Sequence, residues 1–118
     1  MSETGCCEGG DCPAAVAIRI LGSELKLVVM HGLMARGRRF NELRELTGIC
    51  QSSLARTLRE LEDLGIADRL VQTDERPIGV EYRLTPMGRD LSRAIEAFEQ
   101  WTHQWLPTLE ARATRSPA

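Results

Sequence analysis

The chain has no long apolar run and no excess of positive charge. None of its apolar stretches approaches the roughly 18 residues that a membrane helix needs. Its first eleven residues are acidic and contain cysteine, unlike a secretory signal, so we expect a cytoplasmic protein. The 15 basic and 17 acidic side chains give a net charge of −2. Any surface that binds nucleic acid must therefore be local.

The chain also lacks the usual signatures of enzymes and of repeat proteins. Its two histidines, His31 and His103, fall on separate predicted helices. No glycine-rich phosphate loop or nucleophile motif is present, so we do not expect an enzyme. With 118 residues, 42% of them hydrophobic, the chain can build one core but not two.

Two short amphipathic helices joined by a tight turn are predicted in the middle of the chain. The first covers 40–46, with Gly48 as the left-handed residue that follows its C-terminus, and the second covers 52–64 and ends at Gly65. Each places its leucines on one stripe, and Ile49 of the turn packs between them. At about 100° per residue, the opposite side of the second helix carries polar and small side chains: Ser52, Arg56 and Arg59, with Ala55 at the edge.

Further elements surround this helix pair. A hairpin follows, with strands over 66–72 and 80–84 and a polar tip over 73–79 in which Arg76 is the one cation. Helices are predicted over 14–21, with Cys12 near its N-cap, and from 24 to about 36. Thr85 and Pro86 open a last helix. The predicted fold class is mainly α with a small β-hairpin wing, a winged helix-turn-helix with flanking dimerisation helices.

This arrangement points to double-stranded DNA as the partner. The major groove admits an α-helix whose N-terminal residues meet base edges. Arg56 can bind guanine through two hydrogen bonds, and Arg76 on the wing can contact phosphate or the minor groove. The alternatives are a solvated arginine face, or a winged helix that binds proteins and not DNA. The complete predicted set of DNA-binding residues is Arg38, Arg39, Gln51, Ser52, Ser53, Ala55, Arg56, Arg59 and Arg76.

The last helix carries a heptad-like apolar seam. Leu91, Ile95, Phe98, Thr102, Trp105 and Leu109 are spaced 4, 3, 4, 3 and 4 residues apart. We expect Pro107 to kink or end the helix near Leu106. A helix that follows the wing has little of its own domain to pack on, so we expect a two-fold partner. The predicted dimer interface consists of Leu91, Ile95, Phe98, Trp101 and Trp105. The chain then divides into a flexible cysteine-rich arm (1–12), a DNA-binding core (13–85) and C-terminal dimerisation helices (86–118).

A set of short motifs spread over residues 12–105 is typical of one family: Cys12-Pro13, Gly22 with Lys26-Leu27, Arg39-Phe40-Asn41-Glu42-Leu43, Gly48-Ile49, Leu54, Leu58-Arg59-Glu60-Leu61-Glu62, Gly65, Val80-Glu81-Tyr82, Leu84-Thr85-Pro86 and Gly88. In these residues the chain resembles the HxlR-type winged helix-turn-helix transcriptional regulators. The resemblance implies a homodimer with the terminal helices as its interface and one recognition helix per DNA half-site. Leu25 stands where the family usually has tryptophan, and Ser52 stands where it usually has a longer polar side chain.

Three interpretations of the four cysteines remain open. Cys6, Cys7 and Cys12 can form a redox sensor in which Cys12 is the reactive thiol, because the positive end of a helix dipole favours its thiolate. Some members of the resembled family sense oxidants or electrophiles at this position. The same three with Cys50 or His31 can bind a metal ion or iron-sulfur cluster, although their spacing lacks a CxxC pair. In the third interpretation the thiols are incidental and Cys50 is a buried small hydrophobe.

Overall fold

The computed structural model describes residues 12–74 and 79–115. This part of the chain is mainly α, with one antiparallel sheet in the order β1-β3-β2. It confirms the predicted fold class of a helix pair followed by a hairpin wing. The elements are α1 Pro13–Leu21, α2 Glu24–Met34, β1 Arg38–Arg39, α3 Phe40–Thr47, α4 Gln51–Asp63, β2 Ala67–Gln72, β3 Gly79–Leu84 and α5 Pro86–Arg115.

The boundaries of the first two helices follow from local capping. Cys12 is the N-cap of α1 and Pro13 occupies its first position, as predicted. Gly22 ends α1 in the left-handed conformation, with φ of 35°. Ser23 then caps α2, because its Oγ accepts a hydrogen bond of 3.1 Å from the backbone N–H of Leu25. The second helix ends at Met34, two residues before its predicted end.

β1 is a strand that the sequence analysis did not predict. Arg38 pairs with Tyr82 and Arg39 with Glu81 of β3, which makes β3 the central strand. Two residues are too few for an alternating pattern to show in a sequence. The pairing joins the wing to the segment that leads into the helix pair.

The core lies where α2, α3, α4 and the base of the wing meet. Leu43, Leu54 and Leu61 are completely buried, and Ile49 packs against this cluster as predicted. Thr85 connects the wing to the last helix. Its hydroxyl donates to the carbonyl of Gly65 at 2.6 Å and accepts from the N–H of Gly88 at 3.1 Å.

α5 runs without interruption from Pro86 to Arg115, with Pro107 inside it. The alternative that Pro107 ends the helix near Leu106 is therefore wrong, while a kink at Pro107 stays a prediction. The described part of 86–118 forms one helix, where the sequence analysis expected more than one. Proline at this position removes one helical hydrogen bond, the one to the carbonyl of His103. His103 and Pro107 are both exposed, so water can take over that carbonyl.

The first half of α5 packs on its own domain. Ile95 is 6% exposed and Leu91 packs against the core, so two of the predicted interface residues already have intramolecular partners. Between α2 and α5, Nε2 of His31 lies 2.6 Å from Oε2 of Glu99. None of the helices in the described ranges is long and apolar enough to cross a membrane.

Candidate nucleic-acid interface

The turn between α3 and α4 is held by its own hydrogen bonds. Gly48 adopts φ of 73°, which favours glycine. The hydroxyl of Thr47 donates to the carbonyl of Leu43 at 2.7 Å and accepts from the N–H of Ile49 at 3.2 Å. The turn is thus Gly48 to Cys50, and α4 begins at Gln51, one residue before its predicted start. The angle between the two helices is fixed by these contacts and by the core.

One side of α4 is fully buried and the other faces outward. The buried side consists of Leu54, Thr57, Leu58 and Leu61. The outward orientation predicted for Ser52, Arg56 and Arg59 is confirmed, and Gln51 is exposed as well, whereas Ser53 and Ala55 are half-buried. Within the described part of the chain, Arg56 and Arg59 form no ion pair. Both guanidinium groups therefore lie on the outward side of α4, and no acidic residue in 12–74 or 79–115 pairs with them.

Arg44 belongs to the same surface and was missed by the sequence analysis. It is exposed on α3, and its Nη1 lies 3.4 Å from Oε1 of Gln51, the first residue of α4. A cation therefore stands beside the N-terminus of α4. The signal was available, because Arg44 lies about 100° around the helix from Leu43, the middle of the apolar stripe.

Arg38 and Arg39 have contacts that the sequence did not indicate. Nε of Arg38 donates to the carbonyl of Gly32. Nη2 of Arg39 donates to Oε1 of Gln72 at 2.9 Å. Both arginines are half-buried, and their guanidinium groups join β1 to the chain around it. Contact of either residue with DNA stays a prediction.

Arg39 also lies against the glycine that begins β3. A Cβ added at Gly79 would lie 2.5 Å from Cζ of Arg39, so a side chain there would require this guanidinium to shift. Arg76 lies outside the described residues, and the ladder of the wing is described as far as the pair Gln72 and Gly79. The role predicted for Arg76 stays a prediction.

Cys50 is the N-cap of α4 and is exposed, so its interpretation as a buried small hydrophobe is wrong. Ile49, and not Cys50, fills the space between the helices. The sulfur lies 3.3 Å from Oγ of Ser53 and 3.7 Å from Oγ of Ser52. Hydrogen bonds from the hydroxyl and the backbone N–H of Ser53, and then from Ser52, lower the pKa of Cys50 to about 7.

The low pKa of Cys50 leads to a prediction about the affinity for DNA, the partner expected from the sequence. If α4 enters the major groove as predicted, a phosphate near its N-terminus would disfavour a thiolate there, so binding would raise the pKa of Cys50. Affinity should then be full below about pH 7 and fall as the pH rises through that value. If binding raises the pKa by about one unit, the loss is about tenfold. Fluorescence anisotropy against pH measures it, and Cys50→Ser should abolish the dependence. A slope that persists in Cys50→Ser would assign it to another group.

Of the other three cysteines, only Cys12 belongs to the described residues. Cys12 is half-buried at the start of α1, while Cys6 and Cys7 lie outside the described residues. Within 12–74 and 79–115, no group of three His, Cys, Asp or Glu residues can hold a metal ion. The metal alternative includes Cys6 and Cys7 and stays open.

A second surface, formed by α1 and α5, is apolar. The aromatic residues Phe98, Trp101 and Trp105 are 58%, 52% and 44% exposed. Ile18 of α1 lines a groove together with Phe98, and Leu106 and Leu109 of α5 are 41% and 42% exposed. Exposed apolar patches of this kind mark interaction sites in proteins.

The helix pair, the wing and the outward arginines define a winged helix-turn-helix protein. Residues 20–110 match the family model of the HxlR-like helix-turn-helix proteins, and the chain belongs to this family. It is 36% identical over 94 residues to an uncharacterized HTH-type transcriptional regulator of Mycobacterium tuberculosis. The aligned segment covers 80% of this chain and 59% of that protein. The chain thus spans about three fifths of the length of this relative.

Solved structures with a similar fold include a redox regulator and a transcriptional regulator. The reduced form of the redox regulator HypR superposes with a TM-score of 0.77 at 32% identity, over 84% of this chain and 98% of HypR. The reduced form of the transcriptional regulator YodB of Bacillus subtilis superposes with a TM-score of 0.69 at 32% identity, over 80% of this chain and 93% of YodB.

Proposed function

We propose that the chain is a cytoplasmic, homodimeric transcriptional regulator that binds double-stranded DNA with sequence specificity. The observation that carries this proposal is the amphipathic division of α4. Its leucine stripe is buried, and the outward Arg56 and Arg59 have no acidic partner among the described residues. Membership of the HxlR-like family supports the same function.

In this proposal α4 lies in the major groove. Arg56 reads a guanine edge, while the N–H groups and hydroxyls at Ser52 and Ser53 contact a phosphate. Arg44 adds a positive charge beside that phosphate. The wing, including Arg76, follows the backbone. Residues 13–85 form the DNA-binding core, and 86–118 serve dimerisation.

Affinity for DNA tests this function and separates it from a protein-interaction module. The duplexes are the DNA upstream of the chain's own gene and a random duplex of equal length and composition, measured by fluorescence anisotropy at several salt concentrations. The upstream duplex should bind at least about 10³-fold more tightly, with an affinity that falls steeply with salt. Equal affinities for both duplexes at every salt concentration would exclude sequence-specific binding to this region.

We also propose that oxidants weaken DNA binding through Cys12. The similarity to HypR, described as a redox regulator, supports this, as does the position of Cys12 at the start of α1. Peroxide converts the Cys12 thiolate to a sulfenic acid, and the thiol of Cys6 or Cys7 then displaces water to form a disulfide. Such a bridge restrains α1, which borders the proposed dimer surface.

Replacement of Cys12 by serine should remove the response to oxidant. Wild type should lose about tenfold or more in affinity with diamide or peroxide and recover it with dithiothreitol, because a coupling of 1–3 kcal/mol is typical of regulators. Cys12→Ser should bind equally well before and after oxidation. Cys50→Ser is the matched control and should respond as the wild type does.

Two other results decide between the interpretations of the cysteines. A Cys12→Ser protein that stays as sensitive as the wild type would remove Cys12 as the sensor. Metal or sulfide in stoichiometric amount in anaerobically purified protein would favour the alternative, a regulator that senses a metal ion or iron-sulfur cluster through Cys6, Cys7, Cys12 and Cys50.

A further inference from the structure

A groove lies between α1, the end of α4 and the first turns of α5. Its volume is about 470 Å³, within the range of about 300–1,000 Å³ that small-molecule sites occupy. Ile20, Leu64 and Met87 form walls on three sides and are 47%, 37% and 55% exposed. These apolar side chains are therefore not covered by any residue in 12–74 or 79–115.

One carboxylate stands in this apolar wall. Asp90 is the only charged residue among the described residues that line the groove. It forms no ion pair or hydrogen bond through its side chain with any other residue in 12–74 and 79–115. The neighbouring Arg89 donates instead to the carbonyl of Leu84, at 3.0 Å. The groove thus combines a large apolar surface with a single negative charge that has no protein partner there.

We propose that this groove binds a small amphiphilic cation, an amine with an aromatic or branched aliphatic body. The ammonium group pairs with Asp90, and the apolar body lies against Ile20, Leu64 and Met87. The thioether of Met87 can adapt to bodies of different shape. A second copy of the chain is the poorer occupant, because covering Asp90 without a cation would cost free energy.

Because of where the groove lies, a bound ligand should change the affinity of the chain for DNA. This consequence rests on the proposed function. α1 belongs to the proposed dimer surface, and Leu64 directly follows the recognition helix α4. A ligand bound between α1 and Leu64 changes the position of α4 relative to the proposed dimer helices. The spacing of the two recognition helices, and with it the affinity for DNA, then depends on occupancy.

Three molecules of the same shape and different charge test the site: 4-phenylbutylamine, 4-phenylbutanol and 4-phenylbutyrate. The full chain is labelled at its methionine methyl groups, and the NMR signal of Met87, assigned with Met87→Leu, reports binding. The amine should bind about threefold to fivefold more tightly than the alcohol, as expected for one exposed ion pair. The carboxylate should bind most weakly.

Variants separate the charge from the cavity. Asp90→Asn should make the affinities for amine and alcohol equal, whereas Glu96→Gln, an exposed residue of the same helix outside the groove, should preserve the preference. Ala94→Phe fills the groove and should remove the response to all three molecules. A Met87 signal that no molecule shifts, or that shifts only with protein concentration, would overturn the proposal, as would a preference unchanged in Asp90→Asn.

The test also distinguishes the site from the proposed function. The NMR experiment contains no DNA, so a chain that binds the amine but no DNA retains the site and loses the regulatory function. In a chain that binds its upstream DNA, the amine should change that affinity, and Asp90→Asn should reduce the change. If the affinity for DNA stays constant while the Met87 signal shows that the groove is saturated with amine, the proposed coupling between ligand binding and DNA binding is wrong.

Discussion

Replacing Phe98 by aspartate should convert the proposed dimer into monomers. Phe98 is 58% exposed and lies between Ile95 and Trp101 on α5. Aromatic residues at the centre of an interface contribute about 2 kcal/mol or more each when truncated, which is about thirtyfold in the dissociation constant. Two-fold symmetry places the new carboxylate in the interface twice, so the loss should be larger. Analytical ultracentrifugation at several concentrations measures it.

The monomer that Phe98→Asp produces should remain folded. Phe98 makes little contact with its own core, so the melting temperature of α-helix circular dichroism at low protein concentration should change little. Val71→Asp is the matched control, because Val71 is 52% exposed and lies on β2, away from α5. It should stay dimeric. A Phe98→Asp protein with wild-type sedimentation would move the interface to another surface.

The helix pair was predictable because its signals are local. Leu54, Leu58 and Leu61 form a stripe that only a helix buries, and Gly48 and Gly65 mark the exits where a left-handed residue is needed. The start of α5 has a local signal too, because Thr85 can cap a helix and Pro86 suits its first position. Boundaries within one or two residues followed from these positions alone.

The parts that the sequence did not predict depend on contacts between distant residues. β1 exists because β3 lies beside Arg38 and Arg39, and nothing in a pair of arginines indicates a strand. The exposure of Cys50 depends on Ile49 taking the space between the helices. The two ends of the contact between Arg39 and Gln72 are 33 residues apart, so no local pattern contains it.

Replacing Arg56 by alanine should weaken binding to the cognate duplex by about 1–3 kcal/mol and binding to random DNA much less. Arg56 is exposed near the N-terminal half of α4, opposite the buried Leu54 and Leu58. A guanidinium that forms two hydrogen bonds to one base loses both on truncation, whereas nonspecific binding loses only one charge among several.

Matched variants show whether the loss belongs to base recognition. Arg93→Ala removes an equally exposed arginine from α5 and should leave both affinities unchanged. Arg44→Ala removes a cation from the same surface, beside Gln51. It should weaken cognate and random binding alike and lower the salt slope by about one ion, because a phosphate contact releases a counterion. If Arg56→Ala behaves like Arg44→Ala, with equal losses on both duplexes, Arg56 contacts the backbone and another residue of α4 reads the bases.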